Sequence, residues 1–167
     1  MPENKKFWKF CNQVGNTVEL LLYGDISQTS WWGDEVTPAD FQRDLKALGD
    51  IEELNLYVNS PGGDVFAGFT IYNQLKRHSA RKIVHVDGLA ASAASVICMA
   101  GDEIIMPENA SMMIHEASAI TAGNKVKMRK MADELERIDG QIAGIYKHSH
   151  DFSSISILCS SFLCDRA

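Results

Sequence analysis

Three short segments carry the residue types of a serine hydrolase site, in the order Asn59-Ser60-Pro61-Gly62-Gly63-Asp64, Gly88-Leu89-Ala90-Ala91-Ser92-Ala93-Ala94-Ser95 and Met112-Met113-Ile114-His115. In such a site Ser92 is the nucleophile and His115 its general base. Backbone N–H groups near the glycine turn stabilise the negative oxygen formed when a carbonyl is attacked. Each segment follows a run with strand character, so all three can converge at one edge of a sheet, where α/β proteins place their chemistry.

Each residue also has a plainer use. Ser92 precedes Ala93 to Ala100, a small-residue run that reads as a helix ended by Gly101, and capping such a helix is the commoner role of a serine there. If it reacts instead, the unpaired N–H groups and the positive end of the helix dipole favour the developing oxyanion. Ser95 is a rival nucleophile, one turn inside the helix, where access is poorer. Gly62 and Gly63 are ordinary strand-to-helix punctuation, yet adjacent glycines also expose N–H groups of the kind that bind anions. Among the histidines, His78 sits with Lys76, Arg77 and Arg81, His85 lies inside a strand, and His148 and His150 adjoin an irregular stretch. His115, at the end of an apolar run, is the best-placed base.

The elements that must position these residues are read from periodicity. Runs at Val18–Tyr23, Leu54–Val58, Ile83–Val86, Glu103–Met106 and Met112–His115 predict strands, and helical patterns alternate with them. That is the signature of βα units around a largely parallel sheet, so the class is α/β. One helix is predicted from Thr37, with Pro38 at its first position, Asp40 in its first turn, Phe41, Leu45 and Leu48 as its stripe and Gly49 as its end. A second, Asp64 to Arg77, is expected to bury Val65, Phe69, Tyr72 and Leu75. The longest, Asn124 to Lys147, places Met128, Met131, Leu135, Ile138, Ile142 and Ile145 three and four residues apart. On a helix of roughly 35 Å this seam suits packing in the core or against a second subunit.

With 167 residues, 46% of them apolar, the chain is long enough for one domain and its core. A net charge of −6 with scattered Lys and Arg argues against nucleic acid as a partner. Gly88 to Gly101 is too short and too rich in Ala and Ser to span a membrane. Met1 to Phe10 is charged and lacks the apolar core of a signal peptide, which predicts a cytoplasmic protein. Cys11, Cys98, Cys159 and Cys164 are scattered without metal-ligand spacing and read as reduced thiols.

Taken together, the motifs resemble the Clp protease proteolytic subunit (ClpP) family, and look most like its phage and prophage head maturation proteases. The matching text runs Tyr57-Val58-Asn59-Ser60-Pro61-Gly62-Gly63-Asp64-Val65-Phe66-Ala67-Gly68 through Ile71-Tyr72, then Gly88 to Ser95, then Met106-Pro107-Glu108-Asn109-Ala110 to Ile114-His115. Trp32-Gly33-Asp34-Glu35-Val36 is similar to the phage branch. The resemblance covers roughly Leu20 to His148. It implies a ClpP/crotonase-like fold of stacked βα units with a long C-terminal handle helix. It also implies Ser92 as nucleophile, His115 as base, and the N–H groups of Gly63 and Ala93 as the oxyanion hole, with no metal and no cofactor.

The same resemblance implies a homo-oligomer that forms rings through the 124–147 helix, protein or peptide substrates such as capsid proteins, and an unfoldase partner. Its location would be the cytoplasm of a bacterial host or a phage prohead. The departure is C-terminal. Residues 1–148 read as the protease domain, whereas 149–167 read as a divergent, serine-rich tail of the kind a truncation or frameshift leaves. Asp165 lies at a suitable distance after His115 to be the third triad member, but without the surrounding family pattern. Three functions therefore compete: a serine endopeptidase that processes capsid or prohead proteins, a catalytically impaired assembly protein of the same fold, and a crotonase-type acyl-CoA enzyme.

Overall fold

A computed structural model describes residues 6–27, 37–147 and the backbone of 157–159. Strict alternation in the strands makes a sheet with one buried face. In β2 (Thr17–Tyr23), β3 (Glu53–Ser60) and β4 (Arg81–Ala91), the residues Val18, Leu20, Leu22, Leu54, Leu56, Val58, Val84 and Val86 all point into the core. The opposite face carries half-buried Leu21, Asn55, Tyr57, Ile83 and His85, with Tyr57 stacked on His85 at 4.7 Å.

Among the described residues the sheet has seven strands in the order β1 (Trp8–Val14), β2, β3, β4, β6 (Ser111–Ile114) and β7 (Ile157–Cys159), and β5 (Glu103–Ile105) also pairs with β4. Of these strands only β1 runs antiparallel to its neighbour. Its first residues belong to the charged segment Met1 to Phe10, for which no strand is predicted; Trp8 and the preceding Phe7 are buried, and Trp8 meets Phe41 edge-on at 5.4 Å. The first part of β4 pairs with β5 through Ile83–His85, and its end pairs with β6 (Ser111–Ile114) through Leu89–Ala91. Two segments far apart in sequence thereby meet beside the end of β4.

Helix α1 (Pro38–Ala47) starts as its sequence predicts. Thr37 accepts from the Asp40 N–H, and the Asp40 carboxylate accepts from the Thr37 N–H in return, a capping box. Helix α2 (Val65–Arg77) is capped by Asp64, but its core face is Ala67, Gly68, Ile71, Gln74 and Leu75. The expected Val65, Phe69 and Tyr72 are only half-buried. Small residues take the inner face of its first turn because α2 approaches α3 (Ala93–Cys98) closely there: a Cβ on Gly68 would lie 3.0 Å from the Cβ of Ala93.

Helix α4 (Lys125–Lys147) follows an Asn124 side chain that accepts from the Val126 and Lys127 N–H groups. Its seam divides. Ile138, Ile142 and Tyr146 are buried, Met131, Leu135 and Ile145 are half-buried, and Met128 is exposed together with Val126. Past it, the backbone of β7 (Ile157–Cys159) pairs in parallel with β6, inside a tail whose sequence gave no period. Trp32 to Val36 and Asp165 lie outside the described residues.

The capping box yields two expectations. Thr37→Ala should lower unfolding stability by about 1 kcal/mol, read from the urea midpoint. The Asp40 carboxyl is held at about 2, against an ordinary 3.8, first by accepting from the Thr37 N–H, then by the Thr37 hydroxyl and Arg43. A carboxylate depressed in the folded state contributes stability above its unfolded value and loses it as pH falls through the folded one. The stability gap between wild type and Asp40→Asn, present at about pH 5, should therefore close toward about pH 2 in acid titrations.

Candidate active site

The glycine turn is built by its neighbours in the same motif. Buried Ser60 donates to the Gly24 carbonyl at 2.6 Å and accepts from the Gly62 N–H at 3.1 Å. The pairing of β3 and β4 slips between Val58 and Ser60, and Asn59 bridges the slip by accepting from the Leu89 N–H at 3.3 Å. Ile26 clamps the far side: its N–H donates to the Gly62 carbonyl, and its carbonyl accepts from the Asp64 N–H, each at 2.8 Å.

Both glycines are required sterically. Gly62 has φ +95°, and a Cβ there would stand 2.6 Å from the Ala91 carbonyl oxygen and from the Ser92 Cβ. Gly63 has φ +144°, and a Cβ would stand 2.1 Å from the Ile26 carbonyl oxygen. The turn is thus pressed against the Ala91–Ser92 elbow on one side and Ile26 on the other.

Ser92 occupies that elbow at φ 53° and ψ −124°, a conformation costly for any residue with a side chain. Its hydroxyl makes no capping bond. It points instead at His115, with Oγ 2.8 Å from Nε2. The plain capping role is thereby ruled out, and the strained backbone accounts for it by turning the side chain away from the helix end. Accepting at Nε2, the His115 ring takes the hydrogen bond that a Ser92 Oγ–H donates. His115 directly follows β6, whose Met112 and Ile114 are buried, so alternation turns Met113 and His115 to the other side. The Ser92 N–H donates to the Met113 carbonyl at 2.9 Å, which fixes the separation of the two side chains.

The rival serine is placed differently. Ser95 is fully buried, and its hydroxyl lies 2.6 Å from the Ser92 carbonyl, 3.2 Å from the Met113 carbonyl and 2.6 Å from the Tyr146 hydroxyl. Burial raises the Tyr146 pKa, so this phenol stays protonated. Tyr146 was missed in the sequence, although it continues the register of Ile138 and Ile142 four residues on. Asn59, Ser60 and Ile26 were missed as turn builders because their roles depend on pairing between strands. Burial likewise pushes the Cys98 thiol up to about 12, leaving it inert.

Ser92 and His115 open onto a cleft of about 380 Å³. Its walls include Val96, Ile114, Met131, Leu135, Ile138 and Ile142, an apolar surface suited to a side chain or peptide segment. Gly63 and Ala93 border the same cleft. Among the described residues neither of their N–H groups meets an acceptor, and no side chain accepts from His115 Nδ1. Nor do the described residues hold any cluster of His, Cys, Asp and Glu able to bind a metal, or any helix long and apolar enough to cross a membrane.

The sequence profile of the family described as Clp protease matches residues 37–158. The chain belongs to the Clp protease family. Two similar proteins are the ATP-dependent Clp protease proteolytic subunits of Deinococcus radiodurans and Bacteroides thetaiotaomicron. The first is 35% identical over 59% of this chain and 49% of its own length. The second is 30% identical over 73% of this chain and 59% of its own length. The chain thus spans about half the length of these Clp protease relatives. A solved ClpP1 mutant from Listeria monocytogenes shares the fold, with a TM-score of 0.60 at 24% identity over 78% of this chain and 71% of that one. Membership of the Clp protease family does not favour the acyl-CoA reading.

Crowding at the turn gives a direct test. Gly63→Ala should lower stability by about 1–3 kcal/mol from backbone strain alone, and by more if Ile26 has to move. Urea unfolding of the variant measures it.

Proposed function

We propose that this chain is a serine-type endopeptidase subunit, with Ser92 as nucleophile and His115 as general base. The observation that carries the reading is the 2.8 Å contact between Ser92 Oγ and His115 Nε2 at the mouth of an apolar cleft. Ser92 Oγ attacks the scissile carbonyl carbon while its proton passes to Nε2. The carbonyl oxygen takes up the negative charge and receives hydrogen bonds from the Gly63 and Ala93 N–H groups. Collapse of the tetrahedral intermediate returns the Nε2 proton to the leaving amine. Water, deprotonated by His115, then hydrolyses the acyl-enzyme and restores Ser92. No metal or cofactor takes part in this sequence.

The finer reading is processing of phage capsid or prohead proteins, supported by the resemblance of the sequence motifs to that branch. Assembly into a ring through α4 is supported by the exposed Val126 and Met128 and by the fully exposed Ile120 just before the helix. Within such a ring, an unfoldase partner would supply extended substrates. A second reading, an impaired assembly protein, draws on the absence of a carboxylate at His115 Nδ1 among the described residues. Loss of an orienting aspartate from a triad costs about 10⁴ in rate. In that reading Asp165 does not act as the orienter; in the first, Asp165 is its candidate.

A fluorophosphonate probe separates the two. The adduct should map to Ser92 by mass spectrometry, vanish in Ser92→Ala, and form at least about 10³-fold more slowly in His115→Ala. An oligomer that never labels would favour the assembly reading, and an adduct on Ser95 would overturn the assignment. Sedimentation of wild type should show an oligomer, and Met128→Asp should shift it to smaller species.

A further inference from the structure

One helix holds both halves of the Ser92–His115 pair by hydrogen bonds that touch neither side chain. On α4, Asp139 Oδ1 accepts from the Ala117 N–H at 2.7 Å, two residues beyond His115. Seven residues later, the Tyr146 hydroxyl lies 2.6 Å from Ser95 Oγ. A spacing of seven puts both on one side of the helix, two turns and about 10 Å apart, with buried Ile142 between them.

The direction of the hydroxyl bonds follows from counting protons. Ser95 Oγ has one, and its two carbonyl neighbours, Ser92 at 2.6 Å and Met113 at 3.2 Å, can only accept. That proton therefore goes to the elbow carbonyl, and Tyr146 O–H donates to Ser95. The chain of bonds runs from α4 through Ser95 to the backbone of the strained Ser92. Its side branch reaches Met113, whose carbonyl also receives the Ser92 N–H at 2.9 Å.

We propose that Tyr146 and Asp139 are positioning residues: from a single face of α4 they set the separation of Ser92 Oγ and His115 Nε2. This rests on the peptidase reading of the same site. Tyr146, through Ser95, fixes the carbonyl of the residue that carries the nucleophile. Asp139 fixes the segment that leaves His115, on the side opposite to the strand that precedes it. Apolar packing at Ile138 and Ile142 brings the helix near, but cannot specify where two backbone segments stop along it. The directional bonds do.

The experiment measures fluorophosphonate labelling rates and peptide hydrolysis on the full chain, together with thermal melting. Tyr146→Phe removes one oxygen and keeps the ring. It should slow labelling and reduce kcat by about tenfold with KM little changed, since misplacement of reacting groups by about 1 Å can cost about 10². Ser95→Ala should do the same. The double variant should be no slower than Ser95→Ala alone, because both act through one bond. Asp139→Ala should also slow labelling, and Asp139→Asn, which keeps an acceptor for the Ala117 N–H, should recover most of that loss.

A merely structural role would lower the melting temperature of Tyr146→Phe while its folded fraction labelled at the wild-type rate, and that result overturns the proposal. Additive losses in the double variant overturn the route through Ser95. Wild-type protein that never labels at Ser92 overturns the peptidase reading and takes the positioning role with it. Wild-type labelling with unaffected variants overturns the positioning role alone.

Discussion

Steric exclusion at the glycine turn is the constraint on which the rest of the site depends. A Cβ at residue 62 would overlap the Ala91–Ser92 elbow, and one at residue 63 would overlap Ile26. Only bare backbone fits between these walls. That closeness brings the N–H of Gly63 to the same cleft as Ser92. Ser60 and Asn59 are spent on holding the turn: Ser60 accepts from the buried Gly62 N–H and Asn59 from the Leu89 N–H, while Gly63 stays open to the cleft.

Sheet topology supplies the second half of the site. Ser92 and His115 are 23 residues apart and become neighbours because the end of β4 pairs with β6 rather than with β5. The switch of partners along one strand is what opens room for a cleft at its end. Helix α4 then closes the cleft from outside, so its inner face serves as wall and as support at once.

What could be read from the sequence divides along the range of the interactions. The strands of the parallel region and the starts of α1 and α2 were legible, because alternation, Thr37, Pro38 and Asp64 are local signals. So was the order of the motifs that meet at the cleft. Strand β1 was not, since Trp8 is its one buried residue and Lys9, Asn12 and Gln13 break any apolar alternation after it. On α2 the size of a residue misled: Val65, Phe69 and Tyr72 lie on its flanks, because at Gly68 the approach of α3 leaves no room for a side chain. The contacts of Ser95 with Tyr146 and of Ala117 with Asp139 span different elements, and no local pattern announces them.

Ser92 stands at φ 53° and ψ −124°, close to the first central position of a type II′ turn, a conformation that belongs to glycine. Glycine at that point would relax the backbone, giving up only the hydrogen bond to His115. The elbow is therefore shaped for the one residue that has no side chain at all. On backbone strain alone, glycine would be the more stable choice. A serine here costs the molecule part of its resilience, and what that cost secures is a hydroxyl aimed at His115 beside the cleft.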